Sequence, residues 1–428
     1  MDKIANRTQA LSVQKFCASY VIDIRIAAEL EYCPSGLPDP CEGAAGGGAN
    51  RKVVDLSQEQ IPLSSPDITD LERRAVAAVL DTPRLSLGPR TQAFEAAVAA
   101  QAHRRYGIAV NSGTSGLHLC VKALGIGPGD EVITTPFTFI ATLNCILFEN
   151  ATPVLVDIDP ESYNLDPDAV EAAITPRTKA ICPVSVFGNC VHMDRYEAIA
   201  RDHGLALIED CCEALGGTLG GRPAGNFGDC GVFAFYPNKQ ITTGEGGLIV
   251  TDREDIRDLC VSLRNQGRDT NDWLSHARLG YNYRMSDISA ALGEAQVQRL
   301  DEILAKRRQA AAMYNQALVD IDEIHLPPMT EPDSASWFVY VIRLADRFEQ
   351  ADRDRIIQVL RQAGIGCNNY FAPIHLQPYV RERLGTGPGD YPITEHVAAR
   401  TIALPFFANL TAEQVDRVKA ALIQQIRG

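Results

Sequence analysis

The sequence predicts an α/β fold, a largely parallel sheet covered by helices on both faces. Short apolar, β-branched runs recur from Ile61 onward, and they are continuous instead of alternating with polar residues. Helix-period segments lie between several of them, which is the pattern of strands buried on both faces. At 428 residues, 46% hydrophobic and 22% charged, the chain has ordinary globular composition and the length for two or three domains.

Taken in order, Ile108–Val110 reads as a strand, Ser115–Gly125 as a helix, Glu131–Thr134 as a strand and Phe139–Phe148 as a helix. Strands follow at Pro153–Ile158, Ala180–Val186, Leu205–Glu209, Cys230–Phe235 and Leu248–Thr251, with helices at Asp166–Ala173 and Met193–His203 among them. A long charged helix, Ile288–Tyr314, leads out of this region. Beyond it a strand signal at Ser336–Leu344 and helix signals at Asp352–Ala363 and Ala412–Ile426 predict a smaller α+β domain. The expected boundaries are an N-terminal extension over 1–60, a large domain over 61–300 and a small C-terminal domain over 301–428. The extension carries Gly43-Ala44-Ala45-Gly46-Gly47-Gly48-Ala49 and little periodicity, so it reads as an appendage or linker, or as the product of start-site choice.

A formal net charge of −14 and the lack of a Lys/Arg-rich run argue against a nucleic-acid partner. No apolar run approaches the roughly 18 residues of a spanning helix, and Lys15, Asp23 and Arg25 interrupt the start of the chain. The twelve cysteines show no repeated Cys-x-x-Cys spacing, so the expectation is reduced thiols, no metal site and a cytoplasmic protein.

Lys239 is the most informative residue. A lysine following a strand is ordinarily a surface group, but this one lies in Phe233-Ala234-Phe235-Tyr236-Pro237-Asn238-Lys239-Gln240-Ile241-Thr242-Thr243-Gly244-Glu245-Gly246-Gly247, between aromatics and a glycine-rich turn. An amine among desolvating rings, with room for a planar ligand over glycines, suits Schiff-base chemistry. Asn111-Ser112-Gly113-Thr114-Ser115-Gly116-Leu117 follows a strand and opens a helix, so its N–H groups, glycines and hydroxyls suit a phosphate, although such residues also cap helices with no ligand. Asp210 ends another strand and could hold a pyridinium N–H⁺ in the same crevice, or simply cap the loop. Phe139 follows a third strand and could stack on a ring, or lie in the core. Gly88, Pro89, Arg90, His375 and Tyr379 are weaker candidates for the substrate pocket.

Six runs resemble, in order and spacing, the DegT/StrS family of sugar aminotransferases. They are Asn111–Leu119, Gly127–Ile133, Asp166–Lys179, Ile208–Asp210, Phe235–Gly247 and Leu279–Met285. The resemblance implies the aspartate-aminotransferase-like fold (pyridoxal-phosphate fold type I), with a mostly parallel seven-stranded sheet, and the cofactor pyridoxal 5′-phosphate. It makes Lys239 the Schiff-base lysine, Asp210 the partner of the pyridine nitrogen and Phe139 the stacking aromatic. Gly113 and Thr114 become the phosphate cradle, and Asn282 the residue that reaches the phosphate of a neighbouring subunit, which implies a homodimer. Two positions depart from the family pattern: Glu213 stands where Gln or His often faces the ring hydroxyl, and Ala234 where a serine commonly donates to the phosphate.

The implied reaction moves an amino group from an amino acid, L-glutamate by resemblance, to the ketone of a nucleotide-linked deoxy sugar. The family's dehydratase branch carries a histidine in place of the lysine, so Lys239 argues for amino transfer. An amino-cyclitol (scyllo-inosose type) aminotransferase and a non-catalytic cofactor-binding regulator are the alternatives, and loss of Lys239 or Asp210 would mark the latter.

Overall fold

The computed structural model describes residues 60–269, 274–329 and 334–427. All but one residue of the expected extension, 1–60, lies outside the described residues. Seven strands form the main sheet: β1 (Tyr106–Val110), β2 (Glu131–Thr134), β3 (Thr152–Leu155), β4 (Thr178–Ile181), β5 (Ala206–Asp210), β8 (Cys230–Ala234) and β9 (Gly247–Thr251). Their order is β1-β9-β8-β5-β4-β2-β3. Neighbours from β8 through β3 pair in parallel, and β9 alone is reversed, antiparallel to both β1 and β8. A hairpin of β6 (Thr218–Leu219) and β7 (Arg222–Pro223) stands apart. The sheet's apolar residues are buried on both faces: Ile108, Val132, Ile181, Ile208, Val232 and Ile249 are each fully covered. That burial is why the strands read as continuous apolar runs.

Helices α1 (Asp70–Leu80), α2 (Pro89–Gln101), α3 (Gly113–Ala123) and α4 (Ala141–Phe148) precede or cover the first strands. Thr69 and Glu72 close a capping box on α1, and the Ser112 hydroxyl caps α3 by accepting from Ser115 N at 3.1 Å. A smaller antiparallel sheet, β10 (Ile324–His325), β11 (Tyr340–Leu344) and β12 (Thr401–Leu404), is backed by helices Gln350–Gln362 and Ala412–Arg427. Residues 61–63 join this smaller layer, since Ile61 bridges Ile365 and Leu63 O accepts from Phe406 N.

Three elements differ from expectation. The long helix is two, Asp287–Gln298 and Leu300–Leu318, broken at Arg299 (φ −106°, ψ 8°), whose guanidinium turns into a buried cluster with Asp67 and Glu72. The strand expected from Ser336 begins at Tyr340, because Ser336 N donates to Gly188 O and its hydroxyl to Leu215 O, outside the sheet. Helix α4 starts at Ala141, which leaves Phe139 on the preceding turn.

Candidate active site

The carboxyl ends of β1, β2, β5 and β8 open on a cavity of about 880 Å³, the place where ligands gather in such sheets. Gly113, Thr114, Phe139, Asp210, Glu213 and Lys239 all line it. Asn282 does not; it is exposed, on an extended segment that bridges Asn265.

At one end the first turn of α3 presents N–H groups that have no partner inside the helix. This helix start packs tightly on the sheet: a Cβ on Gly113 would stand 2.8 Å from Ala234 Cβ and 2.9 Å from Cys212 Sγ, so only glycine fits. At another edge Asp210, 4% exposed, accepts from Thr142 Oγ1 at 2.8 Å and from Cys212 N at 3.2 Å. Both bonds fix the position of the carboxylate. Thr142 and its partner Thr138 lie beside Phe139, whose ring is 63% exposed to the cavity mouth and solvent.

Lys239 sits on a tight turn after β8, its N–H donating to Tyr236 O at 2.9 Å. Nζ lies 4.0 Å from the centre of the Phe338 ring and 3.6 Å from Glu213 Oε1. Burial pushes the Glu213 carboxyl up, and the Lys239 ammonium and the Phe187 N–H, which donates to Oε2, offset part of that rise. Glu213 thus places a titratable carboxyl 3.6 Å from the amine, where Gln would place a group that does not titrate.

Sequence reading missed what holds the lysine from behind. Arg307, fully buried, donates from Nη2 to Lys239 O at 2.8 Å and from Nη1 to Phe338 O at 3.1 Å. Burial lowers its guanidinium to about 10. Gln240 Nε2 adds a 2.7 Å bond to Ser336 Oγ, so the lysine turn is tied to the segment that supplies Phe338. On the opposite wall Tyr370, Phe371, Gln377 and Tyr379 face the cavity. Asn238 donates to Tyr370 Oη at 3.3 Å, while its own Oδ1 is buried with no partner.

The weaker candidates divide. Tyr379 lines the cavity, its hydroxyl donating to Asn144 Oδ1. His375 is fully buried beneath the wall, with Nε2 3.0 Å from Glu395 Oε1. Gly88, Pro89 and Arg90 start α2 away from the cavity: Gly88 N donates to Asp287 Oδ1 at 3.0 Å, and Arg90 pairs with Glu294.

These residues fit pyridoxal phosphate on structural grounds: an amine, a fixed carboxylate, an uncovered helix N-terminus over a glycine and an unpartnered buried amide oxygen share one cavity. Fold and cavity together fit a pyridoxal-phosphate transaminase. The sequence model of the DegT/DnrJ/EryC1/StrS aminotransferase family matches residues 66–423, and the chain belongs to that family. It is therefore a transaminase of fold type I whose cofactor is pyridoxal phosphate. Among curated relatives, it is 41% identical to GDP-perosamine synthase of Caulobacter vibrioides over 85% of this chain and 98% of the relative. Among solved structures, it is similar to Helicobacter pylori PseC, an aminotransferase involved in the biosynthesis of pseudoaminic acid. That match has TM-score 0.81 and 27% identity, covering 86% of this chain and 100% of the other. The pyridoxal-phosphate form of Spr1654 from Streptococcus pneumoniae matches with TM-score 0.81 and 29% identity, covering 86% and 99%.

Proposed function

We propose that the protein transfers an amino group from an amino acid, with L-glutamate the favoured donor, to the keto carbon of a nucleotide-linked deoxy sugar. The observation that carries this reading is the shared cavity of Lys239 and Asp210, and the similarity to GDP-perosamine synthase supports the acceptor class. Bound there, pyridoxal phosphate supplies an electron sink for a carbanion beside nitrogen. Lys239 Nζ would hold the cofactor and, as a free amine, would take up and return the proton at the donor's Cα. The turn and Arg307 fix its backbone, so the amine swings from a rigid base. Asp210, held by Thr142 and Cys212 N, would be the carboxylate partner of the ring nitrogen. Gly113 and Thr114 would take the phosphate, and Phe139 would cover the ring.

The working unit in this reading is a cytoplasmic homodimer. Asn282 points out of its own subunit, which supports its reaching the phosphate end of a partner's site. Nine cysteines among the described residues are free thiols, which suits a reducing compartment.

The test uses purified holoprotein in two stages. L-glutamate should yield one 2-oxoglutarate per site in the absence of acceptor, and the loaded protein should then aminate one member of a panel of nucleotide keto-sugars, read by mass spectrometry. Amination of a cyclitol ketone in place of every nucleotide sugar would overturn the acceptor class, and silence toward every amino donor would overturn catalysis.

A further inference from the structure

Asn282 lies between two tyrosines that are clamped to the helix bearing the phosphate cradle. The segment from Tyr281 runs extended along the sheet edge: Asn282 bridges Asn265, Arg284 bridges Val110, and Asn111 N donates to Tyr283 O at 2.9 Å. In extended chain, alternate side chains share a face. Tyr281 and Tyr283 accordingly stack on each other, centroids 4.8 Å apart and planes 9° apart, and both meet the edge of His118. Asn282 takes the opposite face and is exposed.

His118, on α3 and 3% exposed, uses both ring nitrogens. Nε2 lies 2.7 Å from Glu149 Oε1 and Nδ1 3.2 Å from Tyr283 Oη. Burial lowers the proton affinity of His118, while Lys122, 2.7 Å from Glu149 Oε2, and His118 itself hold Glu149 below the usual carboxylate range against the opposing effect of burial. With Glu149 ionised and the ring neutral, Nε2–H donates to Glu149 and Nδ1 accepts from the Tyr283 hydroxyl. Tyr281 Oη donates to Glu149 Oε1 at 3.2 Å and completes the clamp. The whole cluster lies outside the cavity.

We infer that His118, through Tyr281 and Tyr283, is a positioning residue for Asn282 and so tunes cofactor retention in the partner subunit's site, not in its own. This rests on the reading of Asn282 as acting in trans. The clamp orders Asn282 before it meets a phosphate, so removing it makes binding carry that ordering cost.

Two purified heterodimers, each with a single lysine-bearing site, separate the two directions of action. In the first, one subunit carries Lys239→Ala and the other His118→Ala; in the second, one subunit carries both substitutions and the other none. Pyridoxal phosphate is titrated into each apo-heterodimer and the visible absorbance of the lysine-bound cofactor gives Kd, with a Lys239→Ala/unsubstituted heterodimer as reference. The first should match the reference. In the second, Kd should rise about tenfold, the size expected when one hydrogen bond to a charged group is weakened. The opposite pattern, or no change in either, overturns the inference. Tyr283→Phe, which removes one hydroxyl and keeps the packing, should repeat the pattern at smaller size if His118→Ala does not fold. Asn282→Ala in the same two arrangements tests the underlying reading: it should weaken only the second, and if it does so while His118→Ala does not, the clamp alone is refuted. A monomeric protein overturns both.

Discussion

The two walls of the cavity are built differently. On the sheet side, Gly113, Asp210 and Lys239 stand at strand ends or one turn beyond, and their backbones or carboxylates are held by buried bonds from Thr142, Cys212 and Arg307. On the other side, Tyr370, Phe371 and Gln377 come from a connection with little regular structure, and Tyr379, 43% exposed, from the first turn of the short helix Pro378–Leu384 that ends it. In the proposed reading the reacting groups sit on the rigid scaffold, and the groups that would meet the variable part of a substrate sit on a loop and the helix start that follows it. Substitutions on the sheet wall should therefore remove chemistry, whereas those on the loop wall should change which acceptor is used.

The sharpest test of that division is Lys239→Ala. We expect turnover to fall on the order of 10⁵-fold, as when a covalent nucleophile is removed, with the fold retained by circular dichroism and the visible band of bound cofactor lost. Borohydride labelling of another lysine in the unsubstituted protein would sink this assignment. Asp210→Ala should cost about 10³-fold in kcat with acceptor KM little changed, since it removes an orienting carboxylate and not a substrate contact. A purely structural Asp210 would instead lower thermal stability and leave kcat within about tenfold.

The same division governs how much was legible from sequence. The sheet wall could be read because close approach forces a signature on it: Gly113 has no room for a Cβ, and a Cβ on Gly247 would lie 2.4 Å from Ser112 O. Strand ends were placed to within a few residues because continuous apolar runs follow from burial on both faces. Arg307 was invisible for the opposite reason. It occupies a helix dense in charged residues, where a buried arginine and a solvated one look alike, and its bond to Lys239 O spans 68 residues. The break at Arg299 was hidden likewise, because it depends on Asp67 and Glu72 more than 200 residues away. Tyr370 and Gln377 carry no local pattern at all, since Tyr370 is placed by stacking on Phe338 and Gln377 by neighbours, Ile374 and Val380, that pack on Leu143 and Leu155.

Tyr379→Phe probes the loop wall at smaller size. Losing the hydroxyl that bonds Asn144 frees the ring to shift, and we expect acceptor KM to rise about three- to tenfold, the worth of one neutral hydrogen bond, while glutamate-driven loading changes far less. Stopped-flow measurement of the two half-reactions separates these effects. An equal loss in both would mean that the loop wall also serves the chemistry, and the contrast between the walls would fail.

The smallest effect concerns what stiffens the sheet wall from behind. Glu72 accepts from Thr69 N and Oγ1, from Gln296 Nε2 at 2.8 Å and from Arg299 Nη1 at 2.8 Å, while Gln296 Oε1 accepts from Thr242 N, three residues past Lys239. Burial would raise this carboxyl, but those bonds prevail and hold it at about 2, below its ordinary 4.5. A folded-state value below the unfolded one means that the stabilisation is complete above the unfolded value and is lost as pH falls toward the folded one. Glu72→Gln should therefore be less stable by about 2 kcal/mol near neutrality, with the difference from the unsubstituted protein shrinking as pH drops below about 4.5, measured from urea midpoints. A gap independent of pH would show that shape, and not charge, is what Glu72 contributes to the lysine turn.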